Sequence, residues 1–598
     1  MDSPVSAFAM YKANTSSNKA KKQKKRNKSG TQVQPISPKP LPPHLTNEKR
    51  QMELAQKLKK KQKKSKDLKS ITKKKLHKKK KNRDDKKPHS KVKKEVLNQS
   101  SAPSEQDDEP PVLLMRPVTE TTANPEESSA DEVEVIDNTG EGQFEEFKPV
   151  QTDSVEEGLK VFQWMIAPYD TDEFFNNIWE KKPLHIARGK SNYYKDILTT
   201  PAIDDMMRNE HIQFTKNIDI TSYIDGKRET HNPEGRAHPH LVWDFYLNGC
   251  SIRLLNPQTY ISKLHLINAT MQEFFNSFVG ANAYLTPPDS QGFAPHYDDI
   301  EAFILQTEGK KHWRIYKPLN ESEILPRVSS KNYDQEEIGK PIMEVTLEAG
   351  DMLYFPRGYI HQGVTIEGEH SLHVTISMYQ KHSWGDLMEL IMPTALQTAI
   401  NENVDLRRGL PFDIYDHFGL VHSDSKTPRR QEITKVILSL FDKIKKCLPI
   451  DEAVDQMHTK YLRAALPPVL NDPEMLVTVF GDTDVMIENG VVTRRVEISP
   501  DTRIRLLRKN IIRMVMEDKI KVYYSVENSL EYHGNELPYV EIEDEMAPAI
   551  EALIAAYPDY ITVESLDLPS EPEKLSLADA LWSRGIIMTE YPMEEVED

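Results

Sequence analysis

Apolar and polar positions follow several different rhythms along this chain. In "GLKVFQWMIAPYDTDEFFNNIWEKKPLHIARG", residues 158–189, apolar residues recur at helical spacing through Phe174, Phe175, Ile178 and Trp179. This predicts a helix that Pro183 stops before a short strand, and folded sequence that begins near 158. Between about 250 and 380 the rhythm changes to short β-rich runs with turn punctuation: "SIRLL", "NAYLTPP", "AFILQTEGKKHWRIY", "GDMLYFPRG" and "SLHVTISMY". Runs of this length and spacing predict a β-sandwich or barrel. From 384, "WGDLMELIMPTALQTAINENV" returns to helical periodicity, which continues to about 470. The remainder mixes helices with short strands, as in "RIRLLRKNIIRMV", "KVYYSV" and "SLADALWSRGIIMTE".

The first 150 residues keep none of these rhythms. Residues 51–100 hold 21 Lys or Arg against 5 acids, and 101–150 hold 14 acids against 2 basic residues, so the net charge of −15 conceals a strong asymmetry. Neither block has the apolar content to fold, and 1–150 is expected to be a disordered basic arm followed by an acidic linker. A lysine run such as "KSITKKKLHKKKKNRDDKK" suits nuclear or nucleolar import, weak non-specific contact with nucleic-acid phosphates, or simply a solvated tail. No aromatics interleave the lysines, which argues against sequence-specific nucleic-acid recognition. Two cysteines, Cys250 and Cys447, are too few for a disulfide framework or a Cys-type zinc module. No apolar run approaches the roughly 20 residues that span a bilayer, so no membrane partner is expected.

Candidate chemistry sits inside the β-rich region. His296 and Asp298 lie at i and i+2 and so project from one face of a strand, where they could share an ion. A second His-x-Asp, His422 and Asp424, lies in "HSDSKTPRR", a polar segment better read as a surface loop. A third ligand is offered by His361, which follows the Pro356-Arg357-Gly358 turn. Two imidazoles and one carboxylate make the facial triad of non-haem iron(II) oxygenases, which leaves coordination positions open for cosubstrate and dioxygen. In "KKHWRIY" alternation puts Lys311 on the face of Trp313 and Ile315. Taken alone it reads best as a strand-mouth lysine whose stem packs while its head reaches water, but if buried its ammonium needs an anion, which the distal carboxylate of 2-oxoglutarate would supply. A zinc-type His/Asp hydrolase would leave Lys311 unexplained, and a non-catalytic chromatin or ribosome-assembly scaffold would not need all four residues.

Taken together, "NAYLTPPDSQGFAPHYDDIEAFILQTEGKKHWRIY", "GDMLYFPRGYIHQ", "SLHVTIS" and "RRGLP" resemble the JmjC group of ribosomal oxygenases, of the nucleolar type with histidyl-hydroxylase and lysine-demethylase activities. The resemblance covers about 158–598. It implies an α+β architecture: a JmjC, cupin-like double-stranded β-helix over 250–395, with 151–249 as the N-terminal part of the catalytic module. A helical dimerisation region follows over 396–470, and a winged-helix-like domain over 471–598. It also implies iron(II), 2-oxoglutarate and O2, hydroxylation of a histidine in a large-subunit ribosomal protein, and demethylation of histone methyl-lysine on histone tails. The metal ligands then fall on His296, Asp298 and His361, and the 2-oxoglutarate lysine on Lys311 with Tyr284 as hydroxyl partner. Arg253, Asn282 and Ser377 match further pocket positions.

Three expectations refine this picture. The span 476–598 carries 26 acids against 11 basic residues, so a winged helix here should have a protein-interaction or structural role rather than bind DNA phosphate. Leu387, Leu390, Ile391 and Leu396 could form a face for a homodimer or higher oligomer, and ordinary packing within the chain explains them nearly as well. Thr375 and Ser377 beside His373 make a hydroxyl-rich wall without an aromatic cage, which favours histidine hydroxylation over demethylation.

Overall fold

The computed structural model describes residues 147–593 except 482–485, 489–490, 494–495 and 532–535. The basic arm and nearly all of the acidic linker therefore lie outside the described residues.

One ten-stranded sheet organises the first part of the chain. Its strands are β1 (Leu184–Ile186), β2 (Ile218–Ile224), β3 (Lys227–Thr230), β4 (Ser251–Leu255), β5 (Gly280–Thr286), β6 (Glu301–Tyr316), β7 (Met343–Glu348), β8 (Met352–Phe355), β9 (Ile360–Thr365) and β10 (Ser371–Met378). The order is β1-β8-β6-β10-β5-β4-β2-β3, with β7 and β9 also paired to β6. The first half of β6 pairs with β8 and β10, and its second half with β7 and β9. Sharing one long strand between two strand sets folds the sheet onto itself as a double-stranded β-helix. Gly309 makes the corner: its φ is +62°, and a Cβ there would lie 1.9 Å from the His370 carbonyl oxygen, so no other residue fits.

Helices cover one face of this sheet. They include α1 (Ser154–Ile166), α2 (Thr171–Asn177), α3 (Thr200–Asn209), α4 (Pro239–Leu247) and α5 (Ser262–Phe275). Phe162 of α1 meets Phe174, Phe274, Phe275 and Phe303 in an aromatic cluster that fastens α1, α2 and α5 to β6. Here the helix expected to run to Pro183 ends at Asn177. Trp179 leaves the helix to stack on Tyr354 at 6.1 Å. Folded sequence also begins before 158: Asp153 caps α1 by accepting from Val155 N at 2.8 Å.

After β10 come α6 (Trp384–Glu402), the short α7 (Ile414–His417), α8 (Pro428–Ile444), α9 (Ile450–Ala464) and α10 (Asp472–Leu476). Ser383 and Asp386 form a capping box that starts α6. Of the apolar face on α6, Ile391 is buried inside the chain, as intramolecular packing would have it, whereas Leu396 is exposed. His422 and Asp424 lie in and after a short 3-10 turn, with Asp424 exposed, as expected of a surface loop.

The C-terminal part is a winged-helix domain. Its elements are β11 (Met486–Glu488), β12 (Val491–Thr493), β13 (Arg503–Leu506), β14 (Ile512–Met516), β15 (Ile520–Tyr524), β16 (Tyr539–Ile542), β17 (Ile561–Thr562) and β18 (Ile587–Thr589), with helices α11 (Ala547–Ala556) and α12 (Glu571–Trp582). Ile504, Leu506, Ile550, Leu553, Leu577 and Ile587 form its core. Residues just before α1 are held on it: Tyr560 OH donates to the Val150 carbonyl at 2.9 Å, and Arg505 Nη2 to that of Thr152 at 3.0 Å. No helix among the described residues is long and apolar enough to cross a membrane.

Candidate active site

His296, Asp298 and His361 converge at one end of the barrel. His296 and His361 form an isolated bridge in which His361 N donates to the His296 carbonyl at 2.8 Å and His296 N to that of His361 at 3.3 Å. Asp298 reaches both imidazoles: Oδ1 lies 3.8 Å from His296 Nε2, and Oδ2 lies 3.7 Å from His361 Nε2. One ligand atom from each of the three lies within 4.8 Å of the others.

Backbone carbonyls set the tautomers. His296 Nδ1 lies 2.9 Å from the Ala294 oxygen, and His361 Nδ1 lies 3.2 Å from that of Tyr359. A carbonyl only accepts, so each Nδ1 carries the hydrogen and each Nε2 presents its lone pair to the centre, which is the arrangement metal-binding imidazoles use. Burial, followed by the nearby His296, pulls His361 down to about 4, so it stays neutral and able to ligate at neutral pH. The donor set of two imidazoles and one carboxylate fits a divalent transition metal with open positions.

Deeper in the barrel the inner face is polar. Arg253 of β4 opposes Tyr284 of β5, which opposes His373 of β10; Asn282 opposes Thr375, and Thr286 opposes Ser371. Ser377 shares this face beside Gly280. Asn282 and Ser377 are only partly buried, which suits contact with a guest. Tyr284 stacks on the His373 ring at 4.9 Å, and Trp313 meets that ring edge-on at 5.3 Å. His373 is buried with no partner for Nδ1, and burial, followed by Lys311, holds it well below the ordinary histidine range.

Lys311 points into this interior from β6. Its Nζ donates to Thr286 Oγ1 at 3.1 Å, and no ion-pair partner for it occurs among the described residues. Burial alone lowers its ammonium to about 7. Gly363 leaves the room it needs, since a Cβ there would lie 3.0 Å from Lys311 Cε.

All eight residues singled out from the sequence therefore lie in or at the mouth of one barrel. Several neighbours were not foreseen. Thr286 follows Tyr284 at i+2, a parity signal that could have found it. Asp219, which pairs with Arg253, and Arg228, whose guanidinium lies 4.4 Å from the Phe293 ring centroid, come from β2 and β3. Both strands fall in the stretch 151–249, where nothing local marks either residue as chemical.

A double-stranded β-helix with two histidines and an aspartate at its mouth is the arrangement of non-haem iron(II) oxygenases. A JmjC domain model matches residues 253–387, and a model for the C-terminal winged-helix domain of ribosomal oxygenase 1 matches 466–593. The chain is 51% identical over 438 residues to the bifunctional lysine-specific demethylase and histidyl-hydroxylase NO66 of Culex quinquefasciatus, covering 73% of this chain and 67% of that one. It is 46% identical over 435 residues to ribosomal oxygenase 1 of Danio rerio, covering 73% of this chain and 80% of the relative. A solved structure of E. coli ycfD is similar at 16% identity, with a TM-score of 0.39 over 71% of this chain and 98% of that one. The chain belongs to the JmjC ribosomal oxygenase family that includes NO66 and ribosomal oxygenase 1.

Proposed function

We propose that this chain is an iron(II)- and 2-oxoglutarate-dependent protein oxygenase in which His296, Asp298 and His361 hold the metal and Lys311 holds the distal carboxylate of 2-oxoglutarate. The reading rests above all on one pairing: two imidazoles and a carboxylate at the barrel mouth, and a buried ammonium without an anion inside it. Metal and cosubstrate together with O2 supply the oxidation, in which one oxygen enters a substrate C–H bond, the other enters succinate, and 2-oxoglutarate loses carbon dioxide. The protein's own task is to bind and aim. The carbonyls of Ala294 and Tyr359 orient the imidazoles, Thr286 orients Lys311, and the Tyr284–His373 stack with Trp313 walls the interior against water. Tyr284 is the second hydroxyl available to the carboxylate, while Arg253, Asn282 and Ser377 are further pocket residues for the cosubstrate.

The substrate we infer is a histidine of a large-subunit ribosomal protein, with methyl-lysine of a histone tail as a slower second substrate. Methylated ammonium groups are usually held by open aromatic faces. Here the Phe293 ring, beside His296, already carries the guanidiniums of Arg228 at 4.4 Å and Arg253 at 5.6 Å, which repel a second cation. Incubating the enzyme with equimolar ribosomal-protein and methylated histone-tail peptides, iron(II) and limiting 2-oxoglutarate tests this by mass spectrometry. Oxygen gain on the histidine peptide should outpace methyl loss; the reverse order overturns the preference.

The same reading extends to the domain division given above, to a homodimer formed through the helical region, and to nuclear and nucleolar residence directed by the basic arm, with only weak nucleic-acid contact. Exposed Phe412, Leu420 and Val421 support the dimer, and the lysine run supports the address.

A further inference from the structure

Between β6 and β7 the chain makes an excursion, residues 317–342, that contributes no strand. Its middle nevertheless behaves as a partner of the segment carrying His296 and Asp298. On one flank that segment bonds to His361, and Gly358 N donates to the Asp298 carbonyl at 3.2 Å. On the other flank the excursion closes it. Ser330 N donates to the Tyr297 carbonyl at 2.9 Å, and Tyr333 N to that of Pro295 at 2.8 Å. Tyr297 N returns a bond to Ser330 Oγ at 2.9 Å, and Ser329 Oγ donates to Asp299 Oδ1 at 2.6 Å.

Side-chain alternation gives these bonds a purpose. His296 and Asp298 face the centre, so Tyr297 between them faces away. There it is buried with Tyr333 and Ile338 of the excursion and Tyr316 and Ile360 of the barrel. The excursion is itself anchored: Arg327 forks onto Asp386 and Glu389 of α6, with bonds of 2.6–3.1 Å.

We infer that residues 329–333 are a clamp that fixes the spacing of His296 and Asp298, with Ser330 and Tyr333 as positioning residues for the metal. This rests on the reading of the triad as a metal site. It adds that the site is not self-sufficient within the barrel: the middle residue of the His-Tyr-Asp segment must be gripped from outside, and the grip is tied to the helical region through Arg327.

The test is calorimetric titration of the full chain with cobalt(II), without 2-oxoglutarate, so that the readout is metal affinity and not turnover. Residues that support metal ligands typically control 10–100-fold in affinity, so Ser330→Ala and Tyr333→Ala should each weaken cobalt binding by about tenfold or more. Ser330→Thr and Tyr333→Phe keep the hydroxyl and the ring and should restore affinity. Ser322→Ala, whose hydroxyl bonds only within its own turn, should match wild type. Circular dichroism separates loss of grip from loss of fold; if Tyr333→Ala unfolds, Ser330→Ala decides alone. Wild-type affinity in the folded alanine variants overturns the clamp while leaving the metal site intact. A wild-type chain that binds no cobalt overturns both.

Discussion

Lys311 Nζ donates to Thr286 Oγ1 at 3.1 Å inside the barrel, and burial holds that ammonium at about 7. A pH dependence follows. Between about 7 and the ordinary lysine value of 10.5, the folded, ligand-free protein holds the amine neutral while the unfolded chain holds it charged. The ligand-free protein is therefore stabilised as pH rises through that window. Binding of a dicarboxylate has the opposite sign, because it needs the ammonium. Affinity for 2-oxoglutarate should be greatest below about pH 7 and fall by up to about tenfold per pH unit above it, as a proton must be taken up on binding. Thermal-shift titrations with 2-oxoglutarate at several pH values measure this, and a flat profile removes Lys311 as the anion's partner.

Substituting the lysine tests the same contact without pH. Truncating one member of a buried charge pair costs at least about 2 kcal/mol, or roughly 30-fold in affinity. Lys311→Ala should raise the 2-oxoglutarate concentration required for turnover by that factor while leaving cobalt binding in place. An unchanged requirement would make Lys311 a packing residue.

His296→Ala and Asp298→Ala should each reduce succinate release to background. Neither residue belongs to the hydrophobic clusters of the barrel, so far-UV circular dichroism and melting temperature should change little. Turnover at the wild-type rate in either variant would remove the metal assignment.

Much of this site could be read from the chain because strand alternation is a local rule. The i, i+2 spacing of His296 and Asp298 and the alternation through Lys311, Trp313 and Ile315 foretold which side chains share a face, and both halves of β6 obey it. Contacts that depend on closure of the sheet were not legible. The β-hairpin of Ile218–Thr230 brings Asp219 and Arg228 beside Arg253 only because β2 pairs with β4, a relationship that no short-range pattern encodes. Tertiary stacking also overrode helical periodicity at Trp179. Ile391 shows the limit of helical patterning: an apolar face is visible in sequence, but whether it meets its own chain or another is not.

Glu301 and Arg357 make a buried pair behind the metal segment. Arg357 Nη1 lies 2.7 Å from Glu301 Oε1 and 2.8 Å from Glu180 Oε1, and Tyr354 OH donates to Glu301 Oε2 at 2.5 Å. Burial pushes the Glu301 carboxyl up to about 7, against the opposing pull of Tyr354 and Arg357. Removing one partner from such a pair leaves a charge uncompensated, so Arg357→Ala should cost about 3 kcal/mol or more in denaturant unfolding. Adding Glu301→Gln should recover part of the loss, since the amide carries no charge. Equal stability of wild type and Arg357→Ala would mean that Glu301 is already neutral in the folded protein.

The helical region offers the strongest prediction about assembly. Phe412 is fully exposed, and Leu420 and Val421 are more than nine-tenths exposed, although each would gain roughly 1.5–3 kcal/mol if buried. Tyr415 lies between them in sequence, also exposed, on the short helix α7. Single exposed apolar residues are ordinary, but several large ones within a dozen positions make this stretch the place to test for a partner contact. If the cover is a second copy of the chain, Phe412→Asp and Val421→Asp should each shift sedimentation from dimer to monomer, with the double substitution acting more completely. Metal affinity should persist in the monomer, because the triad and its clamp belong to one chain. A wild-type protein that sediments as a monomer, or a dimer that survives both substitutions, rejects this surface as the contact.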